Sequence, residues 1–148
     1  PVARREVWDL LFGLSGRGVT LFVTTRYMDE AERCSHVGYI YQSRLIATGL
    51  PAELKQQDAV TPPGTRRVEV VCPSPTAQLP KLRVLAGVRD ATLFGETLHV
   101  LVDEQVTDKT LVAALGPTCA NALTRAIPPT LEDVFVTLSR AEAQRRAS

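Results

Sequence analysis

The side chain whose neighbours best equip it for chemistry is Arg26. It ends the run Val19-Thr20-Leu21-Phe22-Val23-Thr24-Thr25 and precedes Tyr27, Met28 and the acids Asp29 and Glu30. The run is apolar at nearly every position, which predicts a parallel strand covered on both faces. Open α/β sheets place their ligands at the carboxyl ends of such strands. An arginine there offers a fixed, always-charged fork of donors that suits an anionic oxygen but cannot shuttle protons. Its chemistry is therefore electrostatic. The simpler alternative is a guanidinium that pairs with a nearby carboxylate.

Other reactive side chains point elsewhere. Cys34, Cys72 and Cys119 are odd in number, widely spaced and without a CxxC, as expected of buried thiols and not of a disulfide framework or zinc site. None has a base near it in sequence. His36 stands four residues after Glu32, a spacing for a surface pair, and His99 lies in a strand pattern where packing is expected. With no second ligand at metal-site spacing, no metal centre is predicted.

Two sets of elements must position these residues. Val7, Leu10, Leu11 and Leu14 recur at helical spacing over residues 2–14, with Trp8 beside them. The loop Ser15-Gly16-Arg17-Gly18 ends that helix and feeds the apolar run. A helix from about Tyr27 to Cys34 follows, with Thr24 or Thr25 as cap and Asp29 and Glu30 at its positive end. Two strands, Val37–Gln42 and Leu45–Gly49, and a short helix from Pro51 complete the unit. One buried strand plus a hairpin cannot cover both of its own faces, so this half predicts a piece of a larger α/β domain. Tyr39 and Tyr41 share one side of their strand and are placed either to cover the domain edge or to meet the C-terminal unit. Residues 58–65, with Pro62-Pro63-Gly64, mark a linker. Beyond it, strands and helices alternate as βαββαβ, the order of a ferredoxin-like split βαβ unit over residues 66–140. A closing helix begins after Pro128-Pro129, capped by Thr130 with Asp133 three residues on. Residues 141–148 read as a frayed tail.

The stretch Val23-Thr24-Thr25-Arg26-Tyr27-Met28-Asp29-Glu30-Ala31-Glu32 resembles the switch region of ATP-binding-cassette (ABC) ATPases, with Arg26 where that family carries histidine. Gly49-Leu50-Pro51-Ala52-Glu53-Leu54 is similar to the family's closing element, and Pro1 to the proline of its D-loop. Pro129-Thr130-Leu131-Glu132-Asp133-Val134-Phe135 resembles the end of the C-terminal extension on ATPases of the drug-exporter type. The resemblance implies an α/β fragment, the end of a P-loop ATPase domain over residues 1–57, followed by the ferredoxin-like unit and C-terminal helix. It implies a cytoplasmic ATPase subunit held at the inner face of the plasma membrane by a permease, and dimerised with a second ATPase domain. ATP and Mg are implied as cofactors of the full-length parent, with Arg26 in the catalytic position against the γ-phosphate. Nothing in the chain reads GxxxxGK[ST], so these residues alone are not expected to bind ATP tightly or hydrolyse it. Leu14-Ser15-Gly16-Arg17-Gly18 is similar to the family's signature motif only in letters, because it ends a helix and feeds a strand. Asp29-Glu30 likewise lies beyond the strand and is expected to be a solvated first turn.

Composition sets the remaining bounds. A net charge of +1 gives no broad attraction to nucleic acid or anionic lipid. No segment approaches the roughly 18 apolar residues of a membrane span. The start at Pro1, already within a helical pattern and without a basic-apolar leader, predicts the cut end of a longer protein. Two other functions fit the letters: a catalytically degenerate cassette half with a structural role, or a ferredoxin-like module for RNA or a small ligand. The sheet candidates offer little beyond Phe94 and His99 for base stacking, which argues against RNA.

Overall fold

A computed structural model describes residues 2–147, so Pro1, expected in the D-loop, lies outside the described residues. Helix α1 spans Val2–Ser15. It ends where the sequence demands, in a Schellman turn. Gly18 adopts φ +86°, its N–H donates to the Ser15 carbonyl at 2.9 Å, and Val19 N–H reaches back to Leu14 at 3.2 Å. The signature-like letters are therefore a helix C-terminus, which presents carbonyls and not amides.

The expected strand over residues 19–25 does not form. The segment takes no regular structure, and Phe22 is 96% exposed. A strand exists only by pairing its N–H and C=O groups with a neighbour, and among the described residues no strand pairs with this run. Helix α2 is shortened to Met28–Ala31.

Strands β1 (Val37–Tyr41) and β2 (Arg44–Gly49) form an antiparallel hairpin. Its turn is Gln42-Ser43, both at positive φ, the backbone of a twist-matched two-residue turn. Helix α3 (Pro51–Lys55) follows. The second sheet is built from β3 (Thr65–Val71), β4 (Val88–Phe94), β5 (Thr97–Asp103) and β6 (Leu123–Ala126). Its spatial order is β4-β5-β3-β6 and every pairing is antiparallel. Helices α4 (Pro75–Arg83) and α5 (Asp108–Leu115) cover one face. There Val68, Val70, Leu98, Val100 and Val102 meet Leu82, Leu111 and Leu115, all fully buried.

The other face of that sheet is polar, as the alternation of β3 and β5 requires. Helix α6 (Leu131–Ala147) lies against it. Asp133 bonds to Arg67 of β3 and His99 of β5, and Arg140 pairs with Asp90 of β4. The opposite side of α6 carries Leu131, Val134, Phe135 and Leu138 into a second core with Ala31, Val37, Tyr39, Leu54 and Val60. Helix α6 thus joins the hairpin to the four-stranded sheet. It continues through the expected frayed tail because Glu142, only 9% exposed, is held by Arg44, Arg145 and Arg146.

Candidate functional site

Arg26 stands exposed at the end of the unpaired segment, not at the tip of a strand. Its neighbour Thr25 fixes the turn into α2: the hydroxyl accepts the Tyr27 N–H at 3.0 Å and donates to Glu30. Arg26 Nη2 donates to the Tyr27 phenol oxygen at 3.3 Å, and its guanidinium lies 5.3 Å from that ring's centre. The Arg4 guanidinium sits closer, at 4.1 Å. Tyr27 is 45% exposed between these cations and solvent.

Glu30 is not a solvated acid either. Its side chain is 12% exposed and receives Arg4 of α1 as well as Thr25. The Thr25 hydroxyl first, then Arg4 and to a lesser extent Trp8, hold its carboxyl down at about 2. Asp29, beside it and open to solvent, also meets Arg4 at 3.2 Å. These acids therefore clamp α2 onto α1. Glu32 pairs with Lys55 at 2.6 Å and not with His36.

Arg26 opens onto a groove of about 670 Å³ between α2 and the start of α6. Its lining offers one guanidinium, Arg26, against the carboxylates of Asp29, Glu32 and Glu132, with Phe94 and Phe135 between. Two of those acids are already paired, with Arg4 and Lys55. A polyphosphate needs a surplus of donors and positive charge, so the residues present do not by themselves fit ATP. Among the described residues no group of three His, Cys, Asp or Glu side chains is placed to hold a metal ion.

Beside the groove lies a buried polar network that the sequence reading missed as a unit. Asp133 Oδ1 accepts from Arg67 Nη1 at 3.0 Å and lies 3.2 Å from His99 Nδ1. Its Oδ2 accepts the Thr130 N–H and hydroxyl, each at 2.8 Å, while Thr130 Oγ1 accepts the Asp133 N–H at 3.2 Å. This is the reciprocal cap foreseen from the spacing, enlarged by two cross-sheet partners. Arg67 Nη2 also donates to the Val60 carbonyl at 3.0 Å. His99 stacks on Phe94 with ring centres 4.2 Å apart. It packs, as expected. Burial pushes the Asp133 carboxyl up, but His99, Thr130 and Arg67 together outweigh it and leave it below its ordinary value. Burial lowers Arg67 more than Asp133 raises it. Arg67 alternates with the core-facing Val68 and Val70 and so reads as an ordinary outward strand position; its partner lies 66 residues away and carried no signal either.

Tyr39 closes the arrangement. Its phenol donates to the Leu131 carbonyl at 2.6 Å and its ring leans on Phe135 at 5.5 Å. The strand tyrosine does meet the C-terminal helix. All three cysteines are free, Cys72 and Cys119 buried and Cys34 partly so.

The sequence that builds this arrangement is similar to those of known proteins. The chain belongs to the ATP-binding proteins of ABC transporters. Over 146 residues, 97% of its length, it is 35% identical to the Nod factor export ATP-binding protein I of Burkholderia orbicola, of which it covers 44%. The namesake in Rhizobium is 30% identical over 146 residues, 98% of this chain and 45% of that protein. Over 59 residues, 40% of the chain, it is 48% identical to the probable multidrug ABC transporter ATP-binding protein YbhF of Escherichia coli, of which those residues are 10%. The chain thus spans less than half the length of the Nod factor export proteins that it matches. No family model matches it.

Proposed function

We propose that this chain is the C-terminal portion of the ATP-binding subunit of an ABC exporter. The observation that carries this reading is likeness to export ATP-binding proteins over 97% of the chain. The bare segment before Arg26, with Phe22 96% exposed, supports it: neighbouring strands of an ATPase sheet would cover such a run. In the whole protein, bound ATP with Mg supplies the free energy that closes an ATPase dimer against a membrane permease at the inner face of the plasma membrane. Residues outside this chain would hold the phosphates and the metal. Arg26 would add one electrostatic contact to the terminal phosphate, with no proton transfer.

The residue divisions belong to the same proposal: 1–57 the end of the ATPase domain, 58–65 a linker, and 66–140 a ferredoxin-like accessory unit whose closing helix runs on to Ala147. The all-antiparallel order β4-β5-β3-β6 with α4 and α5 on one face supports the ferredoxin-like assignment. The accessory unit would regulate, brace the dimer or meet the permease. Helix α6, which packs on both sheets, gives it a rigid route to the ATPase end.

The test is Arg26→Ala and Arg26→His in the longer protein, assayed for ATP hydrolysis with its permease. A lost phosphate contact lowers the rate on the order of a hundredfold, with thermal stability kept, and histidine retains or restores it. An unaltered rate in Arg26→Ala refutes the assignment of Arg26.

A further inference from the structure

We propose that Arg83, Arg89 and Arg140 form a binding site for a phosphate oxyanion on the edge of the four-stranded sheet. The three side chains come from different elements, α4, β4 and α6, and line one cavity of about 360 Å³ with Val88 and Asp90. Val88, Arg89 and Asp90 are consecutive. In a regular strand they would alternate between faces. The register of β4 on β5 slips between Val88 and Asp90, and a bulge of this kind re-aims the extra side chain.

Three guanidiniums against the carboxylates of Asp90 and of Asp103, which Arg89 binds, leave one net positive charge. Each guanidinium is held by the protein yet keeps donors free. Arg83 spends Nε on the Ala91 carbonyl at 3.1 Å and leaves both Nη groups. Arg89 binds Asp103 through Nε at 2.7 Å and Nη2 at 3.3 Å and leaves Nη1. Arg140 places Nη1 on Asp90 and Nη2 on Thr92, and keeps Nε. Anchored forks lose less freedom on binding than loose ones. Donors converging from three elements suit the several oxygens of a tetrahedral phosphate better than the two of a carboxylate. The volume leaves room for a small substituent on that phosphate. It could come from a soluble phosphate ester or from a lipid headgroup, and Val84, 85% exposed next to Arg83, would suit the second.

The experiment titrates the full chain with sodium phosphate and glycerol phosphate while the arginine Nε–H signals are followed by NMR. In parallel, flotation compares phosphatidylglycerol with phosphatidylcholine vesicles. Saturable shifts at Arg83 and Arg89, absent with chloride at equal ionic strength, are expected. Arg83→Gln and Arg89→Gln should each weaken binding about tenfold. Asp90→Asn, which removes a negative charge and loosens the hold on Arg140, should tighten it. Flotation with phosphatidylglycerol that glycerol phosphate reverses assigns the lipid source; soluble binding without flotation assigns the free ester. Chloride-like shifts, or Arg83→Gln/Arg89→Gln that binds as before with its melting temperature intact, would overturn the site. If that pair fails to fold, Asp90→Asn decides: unchanged or weaker binding overturns it.

Discussion

Replacing Asp133 by alanine tests whether the buried network seats α6. The Asp133 and Arg67 side chains are each 4% exposed, so removal of the carboxylate strands a guanidinium whose Nε already lacks a partner. What remains for Arg67 is the Val60 carbonyl. Breaking one side of a buried pair costs about 3–5 kcal/mol. Loss of the helix cap would cost about 1 kcal/mol alone, but both effects act through one side chain and do not add. The stranded charge sets the total. A domain of this size is stable by roughly 5–15 kcal/mol, so the variant should sit near the edge of folding. Urea denaturation followed by far-UV circular dichroism gives the difference. Arg67→Met with Asp133→Leu should recover most of it, because both desolvation penalties vanish together. Amide exchange in β1 and β2 should quicken in the single variant as their cover on α6 loosens. A loss below about 1 kcal/mol, the range of a surface pair, would refute the reasoning.

Two further outcomes follow from the titrating groups. The Glu30 carboxyl lies at about 2 in the fold against an ordinary 4.5, so its stabilisation is full above pH 4.5 and fades as pH falls toward 2. Glu30→Gln should flatten the acid limb of a stability profile over that window; an identical limb would exclude Glu30 as a contributor. Burial, with a lesser push from Glu32, raises the Tyr39 phenol above its usual value of 10. Its stabilisation is therefore complete below pH 10 and declines above it. An ultraviolet titration should show a tyrosine step above the usual range, and Tyr39→Phe should remove that step at a cost of about 1 kcal/mol. A titration curve unchanged by Tyr39→Phe above pH 10 would contradict the buried bond to Leu131.

Local grammar was legible throughout. Gly18 stops α1, Gly95-Glu96 joins β4 to β5, and Thr130 with Asp133 caps α6, while the hairpin turn falls at Gln42-Ser43, one residue before the expected Ser43-Arg44. Each depends on residues within five positions of one another. The apolar run before Arg26 was read correctly as strand-like in composition and wrongly as a strand. Composition shows what a segment can bury, whereas a strand also needs a partner's hydrogen bonds. Asp29 and Glu30 looked alike in sequence. Arg4, about 25 residues upstream, pairs with both, but it covers Glu30 and leaves Asp29 largely exposed.

The sequence by itself determined the family, the order of elements and the place of Arg26 after an apolar run, because motif spacing and hydrophobic period are properties of neighbouring residues. Only the tertiary structure decided that α6 is a two-sided joint, with Leu131 and Val134 in one core and Asp133 against Arg67 and His99 on the other side. It also gathered Arg83, Arg89 and Arg140 around one cavity. Those partners lie tens of residues apart. Coulomb and hydrogen-bond energies depend on distance through space, and no pattern along the chain records it.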